Sequence, residues 1–208
     1  VTAVRAAAGG LARPAADGVT QVEALTAAAF WGFREAGVDA LVIEAGLGGR
    51  YDATNVLPAG TAVVLTNIAL EHTELLGDTE MAITAEKLAV VGDGSERLVV
   101  GRLSPIARRA VDAECARRGL RPLRYGAGLE AHEGPGGVDV VTPHAVYAAL
   151  PLALNGDFQR DNLAVALAGA EMLLGGPLEA GPLASAVAAV RVPGRMELIP
   201  GAPAVILD

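Results

Sequence analysis

Thr61-Ala-Val-Val-Leu-Thr66 decides the fold class. It is a short continuous apolar run of the kind that strands covered on both faces show. It leads through a polar loop, Asn67 to Gly77, into a helix expected around Thr79 to Val91, with Asp78 or Thr79 as its cap. Downstream the rhythm repeats. Leu98 to Val100 reads as a strand, Ser104-Pro105 starts a helix with Pro at its first position, and Pro122 to Tyr125 reads as a further short strand.

Upstream, Val22, Leu25, Ala29 and Phe33 recur at helical spacing behind the capping box of Thr20 and Glu23, which predicts a helix over Val19 to Phe33 closed by Gly37. Ala40-Leu-Val-Ile43 then reads as another buried strand, and the glycine-rich loop Gly46-Leu-Gly-Gly49 follows. Alternating strands and helices of this length predict an α/β fold, a mostly parallel, doubly wound sheet flanked by helices.

The pattern changes over residues 126–154, where Gly134-Pro-Gly-Gly137 and Val138-Asp-Val-Val141 suggest a small antiparallel β excursion. Helical patterning returns at Phe158 to Leu174 and Leu183 to Val190. Pro193-Gly194 and Pro200-Gly201-Ala202-Pro203 then punctuate a linker before the apolar run Ala204 to Leu207. The expected organisation is one domain over 1–190, with 191–208 as a linker and the first strand of a further domain.

Composition narrows the function classes. The chain has 208 residues, 52% hydrophobic but only 3% aromatic, so Ala, Val and Leu must fill the core, which requires close backbone packing. A net charge of −8 and a pI near 4.9, with no basic cluster interleaved with aromatics, argue against nucleic acid and anionic membrane as partners. The single cysteine, Cys115, cannot form an intrachain disulfide, and no leader or membrane-length apolar run is visible. A cytoplasmic location is the expectation.

Several residues could carry chemistry. Glu44 stands at the end of the predicted strand Ala40 to Ile43, where ligand-facing groups gather in open parallel sheets, and a carboxylate there suits Mg²⁺ as well as it suits a loop surface. The glycine loop is no Walker loop, because Gly-Lys-Ser and Gly-Lys-Thr are absent from the sequence. Arg50, Asp52, Thr54 and Asn55 form a dense polar set just after it. His72 follows the next strand, so two strand ends are expected to deliver Glu44 and His72 to one sheet edge. Lys87, on the following helix, reads by itself as a solvated lysine paired to a nearby acid. Gln159 and Asn162 are expected to be exposed on the first turn of their helix, where an amide can read an adenine edge or merely cap the helix.

In this order the segments resemble the folylpolyglutamate synthase and dihydrofolate synthase branch of the Mur ligase superfamily. The resemblance is carried by Thr20-Gln-Val-Glu23, Glu44-Ala-Gly-Leu-Gly-Gly-Arg-Tyr-Asp-Ala-Thr-Asn55, Glu71-His-Thr-Glu-Leu-Leu-Gly77, Glu86-Lys87, Gln159 to Asn162, Val192-Pro-Gly-Arg-Met-Glu197 and Val205-Ile-Leu-Asp208. It implies the ATP-binding central domain of such a ligase. ATP would phosphorylate a pteroate or folate carboxylate, and the amine of L-glutamate would displace phosphate to form the amide.

By the same resemblance Glu44 and His72 are Mg²⁺ ligands, and Lys87 is carbamylated and supports the metals, with K⁺ as an accessory ion. Asn162, Arg195 and Asp208 contact the nucleotide, while Thr20, Gln21, Val22, Glu23, Arg50, Tyr51 and Asp52 border the pteroate pocket. A monomer is expected. The family's phosphate-binding loop would precede Val1 and its Gly-Ala-His-Asn motif and C-terminal domain would follow Asp208, so the chain by itself is expected to be inactive. Two other readings are a Mur-type ligase with a different acceptor and a degenerate, non-catalytic binding domain.

Overall fold

A computed structural model describes residues 18–58, 60–93 and 95–208. The chain divides into two compact units, Val1–Pro58 and Ala59–Asp208.

In the first unit, α1 spans Gln21–Ala36. The predicted capping box is present: the Thr20 hydroxyl accepts from the Glu23 N–H at 3.2 Å, and the Glu23 carboxylate accepts from the Thr20 N–H at 2.7 Å. These bonds satisfy donors that the first turn leaves orphaned. Gly37 closes the helix in the left-handed conformation. None of the residues of α1 is buried. The strand expected over Ala40 to Ile43 does not form; this stretch has no ladder pairing, and Val42 is 97% exposed. Apolar composition favours a strand only where a neighbour accepts its hydrogen bonds.

The second unit is built on a six-stranded sheet in sequential order. Its strands are β1 (Val63–Leu65), β2 (Leu98–Val100), β3 (Leu123–Tyr125), β4 (Gly128–Gly134), β5 (Gly137–Val141) and β6 (Val146–Leu150). β1 to β4 pair in parallel and β4 to β6 antiparallel, so the predicted excursion is a meander joined to the main sheet. Parallel neighbours ordinarily need a long crossover. Here the β3–β4 ladder is two pairs long, and Gly126 and Gly128, both at positive φ, let the chain step sideways and resume its direction.

Helices cover both faces. The intervening elements are α2 (Thr73–Leu76), α3 (Glu80–Lys87) with a 3₁₀ turn (Leu88–Val90), α4 (Pro105–Arg118), α5 (Phe158–Leu174) and α6 (Ala180–Ala189). Strand periodicity divides the core. Leu98 and Val100 point into a cluster with Ile83, Leu88, Ala107 and Val111, whereas Val99 between them points into a second cluster with Leu129, Val140, Ala164, Val165 and Val187. The small side chains predicted to fill the core permit very close approach: a Cβ at Gly169 of α5 would lie 2.7 Å from Val64 of β1. A buried polar knot fastens α5 to the meander. Glu171, 1% exposed, accepts from the hydroxyls of Tyr147 at 2.5 Å and Thr142 at 2.8 Å.

Two local predictions need correction. Gln159, expected to be exposed, is buried, because the first turn of α5 already packs against the sheet. The segment after α6 is more than a linker with one strand: β7 (Glu197–Ile199) pairs antiparallel with β8 (Val205–Leu207). The apolar run was legible, but its three-residue partner carries no period of its own. No helix among the described residues is long and apolar enough to cross a membrane.

Candidate functional site

In the second unit the predicted residues His72 and Lys87 follow β1 along the chain. Beyond β1 the chain reaches His72, a non-glycine residue at φ 49°, ψ 40°. This left-handed backbone is uncommon for a side chain with a Cβ, and its carbonyl accepts from both Leu75 and Leu76 at 2.9 Å, which fastens the turn. The imidazole is 56% exposed, and Nδ1 stands 4.0 Å from Glu74 Oε1.

Lys87 ends α3 on the same side of the sequence motif. Its Nζ is 2.9 Å from Glu71 Oε1, with the lysine side chain 21% exposed. The plain reading of Lys87 as a paired ammonium therefore holds in this state. Glu71, missed as a partner, is the residue before His72. Carbamylation would set a second negative group against Glu71, so the carboxylate would have to move or a cation would have to lie between them. Arg118 of α4 fixes the backbone just past Lys87: its guanidinium donates to the carbonyls of Leu88, at 2.6 Å, and Val91.

Asp208, one of the predicted residues, meets the chain at Met196, next to Arg195. The Met196 N–H donates to Asp208 Oδ1 at 3.1 Å, and the Met196 carbonyl accepts from Asn155 Nδ2 at 3.0 Å. The loop bearing Arg195 is thus joined on one side to Asp208 at the end of β8 and on the other to the segment that opens α5. Asn162 lies on that helix, exposed, with Nδ2 donating to Gln159 Oε1 at 3.1 Å.

In the first unit, Asp52 shapes the glycine-rich loop. Oδ2 accepts from the N–H groups of Gly46 at 2.9 Å and Leu47 at 3.0 Å, and Oδ1 accepts from the Thr54 N–H at 2.9 Å and hydroxyl at 2.6 Å. Burial alone would raise its pKa, but the Thr54, Leu47 and Gly46 donors outweigh it and hold the carboxyl below the usual aspartate range. Asn55 Nδ2 donates to the Arg50 carbonyl at 3.0 Å. Tyr51 is 89% exposed. Glu44, Gln21 and Val22 are exposed as well. Thr20 and Glu23 are occupied by the capping box.

Among the described residues no group of three or more His, Cys, Asp or Glu side chains gathers as a metal cage. Mg²⁺ does not require one. It takes one or two protein ligands and completes its shell with water and phosphate oxygens, so the sparse donor set around His72 fits an ion held largely by a nucleotide.

No family model matches the chain. It is 34% identical over 212 residues to the dihydrofolate synthase/folylpolyglutamate synthase of Mycobacterium tuberculosis, a match covering 91% of this chain and 42% of that protein. It is 34% identical over 217 residues to the folylpolyglutamate synthase of Lacticaseibacillus casei, covering 100% of this chain and 50% of that one. Among solved structures, an FPGS–AMPPCP–folate complex superposes with a TM-score of 0.87 at 34% identity, covering 100% of this chain and 52% of that one. The chain spans about half the length of the curated relatives it matches.

Proposed function

We propose, from the premise that this chain is related to the folylpolyglutamate and dihydrofolate synthases over about half of their length, that it is the nucleotide- and pterin-handling part of an ATP-dependent amide ligase. The supporting observation is that the backbone of Met196, the residue after Arg195, is tied both to Asp208 and to Asn155 ahead of α5, in a fold that superposes on a relative bound to an ATP analogue and folate. The reaction joins L-glutamate to dihydropteroate, to a reduced folate, or to both. The γ-phosphoryl of ATP passes to the acceptor carboxylate with departure of ADP. The glutamate amine then attacks the acyl phosphate, loses a proton and expels phosphate.

In this reading Asn162 offers its amide to the adenine edge, Arg195 pairs with nucleotide oxygens, and Asp208 takes a ribose hydroxyl. Thr20 to Glu23 and Arg50 to Asp52 border the pterin, with the Asp52 cradle keeping the loop in one shape. Glu44 and His72 would hold Mg²⁺, which when bound would neutralise charge on the transferred phosphoryl. Lys87, as a carbamate, would add an oxygen donor there once Glu71 is drawn away, and K⁺ is assigned an accessory place. Residues 1–190 act as the catalytic central domain, with 191–208 joining it to further sequence, in a monomeric cytoplasmic enzyme that binds neither nucleic acid nor membrane.

The product of the full reading frame, given ATP, Mg²⁺, glutamate and either dihydropteroate or a reduced folate, is expected to release phosphate only when a pterin is present. Release with neither pterin would overturn the proposal. Lys87→Gln is expected to abolish turnover and to remove a ¹³C carbamate resonance seen after equilibration with ¹³CO₂ and Mg²⁺; a wild-type spectrum without that resonance would reject the carbamate.

A further inference from the structure

We propose that the cavity at the carboxyl edge of β2 and β3 is a binding site for a small, doubly charged oxyanion. It measures about 210 Å³ and is lined by Gly101 and Arg102 just past β2, by Arg108 of α4, and by Arg124, Tyr125 and Gly126 at the end of β3. Three arginines from three elements thus meet around one small space. Like charges converge at the expense of stability unless something compensates them.

Two of the three are compensated within the chain. Arg102 is paired to Asp161, with Nε at 2.7 Å from Oδ2 and Nη2 at 3.2 Å from Oδ1, and Arg124 Nη1 is 2.8 Å from Asp112 Oδ1. Arg108 has no carboxylate partner among the described residues. The three cations of the cavity wall are thus met by two acids that lie outside its lining, an excess of one positive charge in a chain whose net charge is −8.

The wall is also preorganised. The Arg102 guanidinium lies 4.5 Å from the centroid of the Tyr125 ring, and its Nη2 is 3.0 Å from the Tyr125 hydroxyl, which in turn accepts from the Ala131 N–H at 3.1 Å. Stacking plus a forked ion pair leaves this planar group little freedom, so a ligand need not order it. The backbone beside it is equally fixed: Gly101 donates to Leu65 at 2.8 Å, and a Cβ at Gly101 would meet the Thr66 carbonyl at 2.2 Å.

Position agrees with chemistry. Ligands bind open α/β sheets beyond the carboxyl ends of their strands, and this cavity lies beyond two of them. Guanidinium forks match the oxygens of phosphate and carboxylate alike. A phosphate and a small dicarboxylate share that chemistry, and the cavity admits groups of that size. The site does not depend on the ligase reading, since none of its residues is assigned to nucleotide, pterin or metal.

The test titrates the whole chain with inorganic phosphate and, separately, with glutarate at constant ionic strength, using NaCl as the reference salt. Amide shifts in ¹⁵N spectra give the place, and calorimetry gives the affinity. Saturable binding of either probe is expected, with shifts centred on Gly101, Arg102 and Gly126. Arg108→Gln, at an exposed position that leaves the packing intact, is expected to weaken it about tenfold, and Arg108→Lys less, because the charge remains while the fork is lost. Arg195→Gln should leave this binding unchanged, which separates it from phosphate captured at the proposed nucleotide site. Which probe binds identifies the source of the anion. Binding of neither probe above the NaCl reference, or binding insensitive to Arg108→Gln, would overturn the proposal.

Discussion

Asp52, expected at the border of a ligand pocket, has a role in its own loop that the sequence did not signal. A polar residue after a glycine turn suggests ligand contact, and its carboxylate accepts four hydrogen bonds from Gly46, Leu47 and Thr54 of the same loop. Asp52→Asn would replace one acceptor oxygen with an N–H₂ facing backbone donors, lowering local stability by roughly 1–2 kcal/mol. Hydrogen exchange at the Gly46 and Leu47 amides should therefore accelerate by about five- to thirtyfold; unchanged exchange would refute the cradle. The pH dependence follows from the lowered carboxyl. Its contribution is fully present above the unfolded aspartate pKa of about 3.9 and is lost as pH falls through the still lower folded value. The protection factors of those two amides, corrected for the intrinsic pH dependence of exchange, should thus fall on acidification below about pH 4 in the wild type. In Asp52→Asn this acid dependence should vanish.

At the scale of elements, the crossing of α5 over β1 rests on the missing side chain of Gly169. Gly to Ala within a helix ordinarily stabilises by up to about 1 kcal/mol. Here the new methyl would lie 2.7 Å from Val64 Cγ2, and a β-branched strand residue has little χ1 freedom to yield. Overpacking of this kind costs about 1–3 kcal/mol, so Gly169→Ala is expected to lower the midpoint of denaturant unfolding. Val64→Ala should restore it, giving a favourable coupling in a double-mutant cycle; additive effects would mean that the helix shifts freely away. Local signals explain which elements were legible. Thr20 with Glu23, Thr79, and Ser104 with Pro105 each carry their own capping chemistry, and each opens a helix where expected. Ala40 to Ile43 and Glu197 to Ile199 depend on a pairing partner, and the reading failed at both in opposite directions.

At the scale of the molecule, the buried hydrophobic clusters among the described residues lie in the second unit. Leu98 and Val99 are fully buried there, whereas α1 of the first unit buries no residue. Native-state hydrogen exchange should accordingly find the slowest amides in β2 and the neighbouring strands, and those of α1 faster by at least about a hundredfold. Comparable protection in α1 and β2 would contradict that division. The amino-acid sequence by itself determined the α/β class, the capped helix starts at Thr20, Thr79 and Ser104, the character of the core and the order of the family's motifs. These depend on periodicity, caps and composition, all of which are local. Only the tertiary structure decided that Lys87 meets Glu71, that Met196 joins Asn155 to Asp208, and that Arg102, Arg108 and Arg124 line one cavity. Each of those encounters brings together segments separated by 12 or more residues along the chain in most cases, and no local pattern encodes which of many such pairs the close-packed core will select.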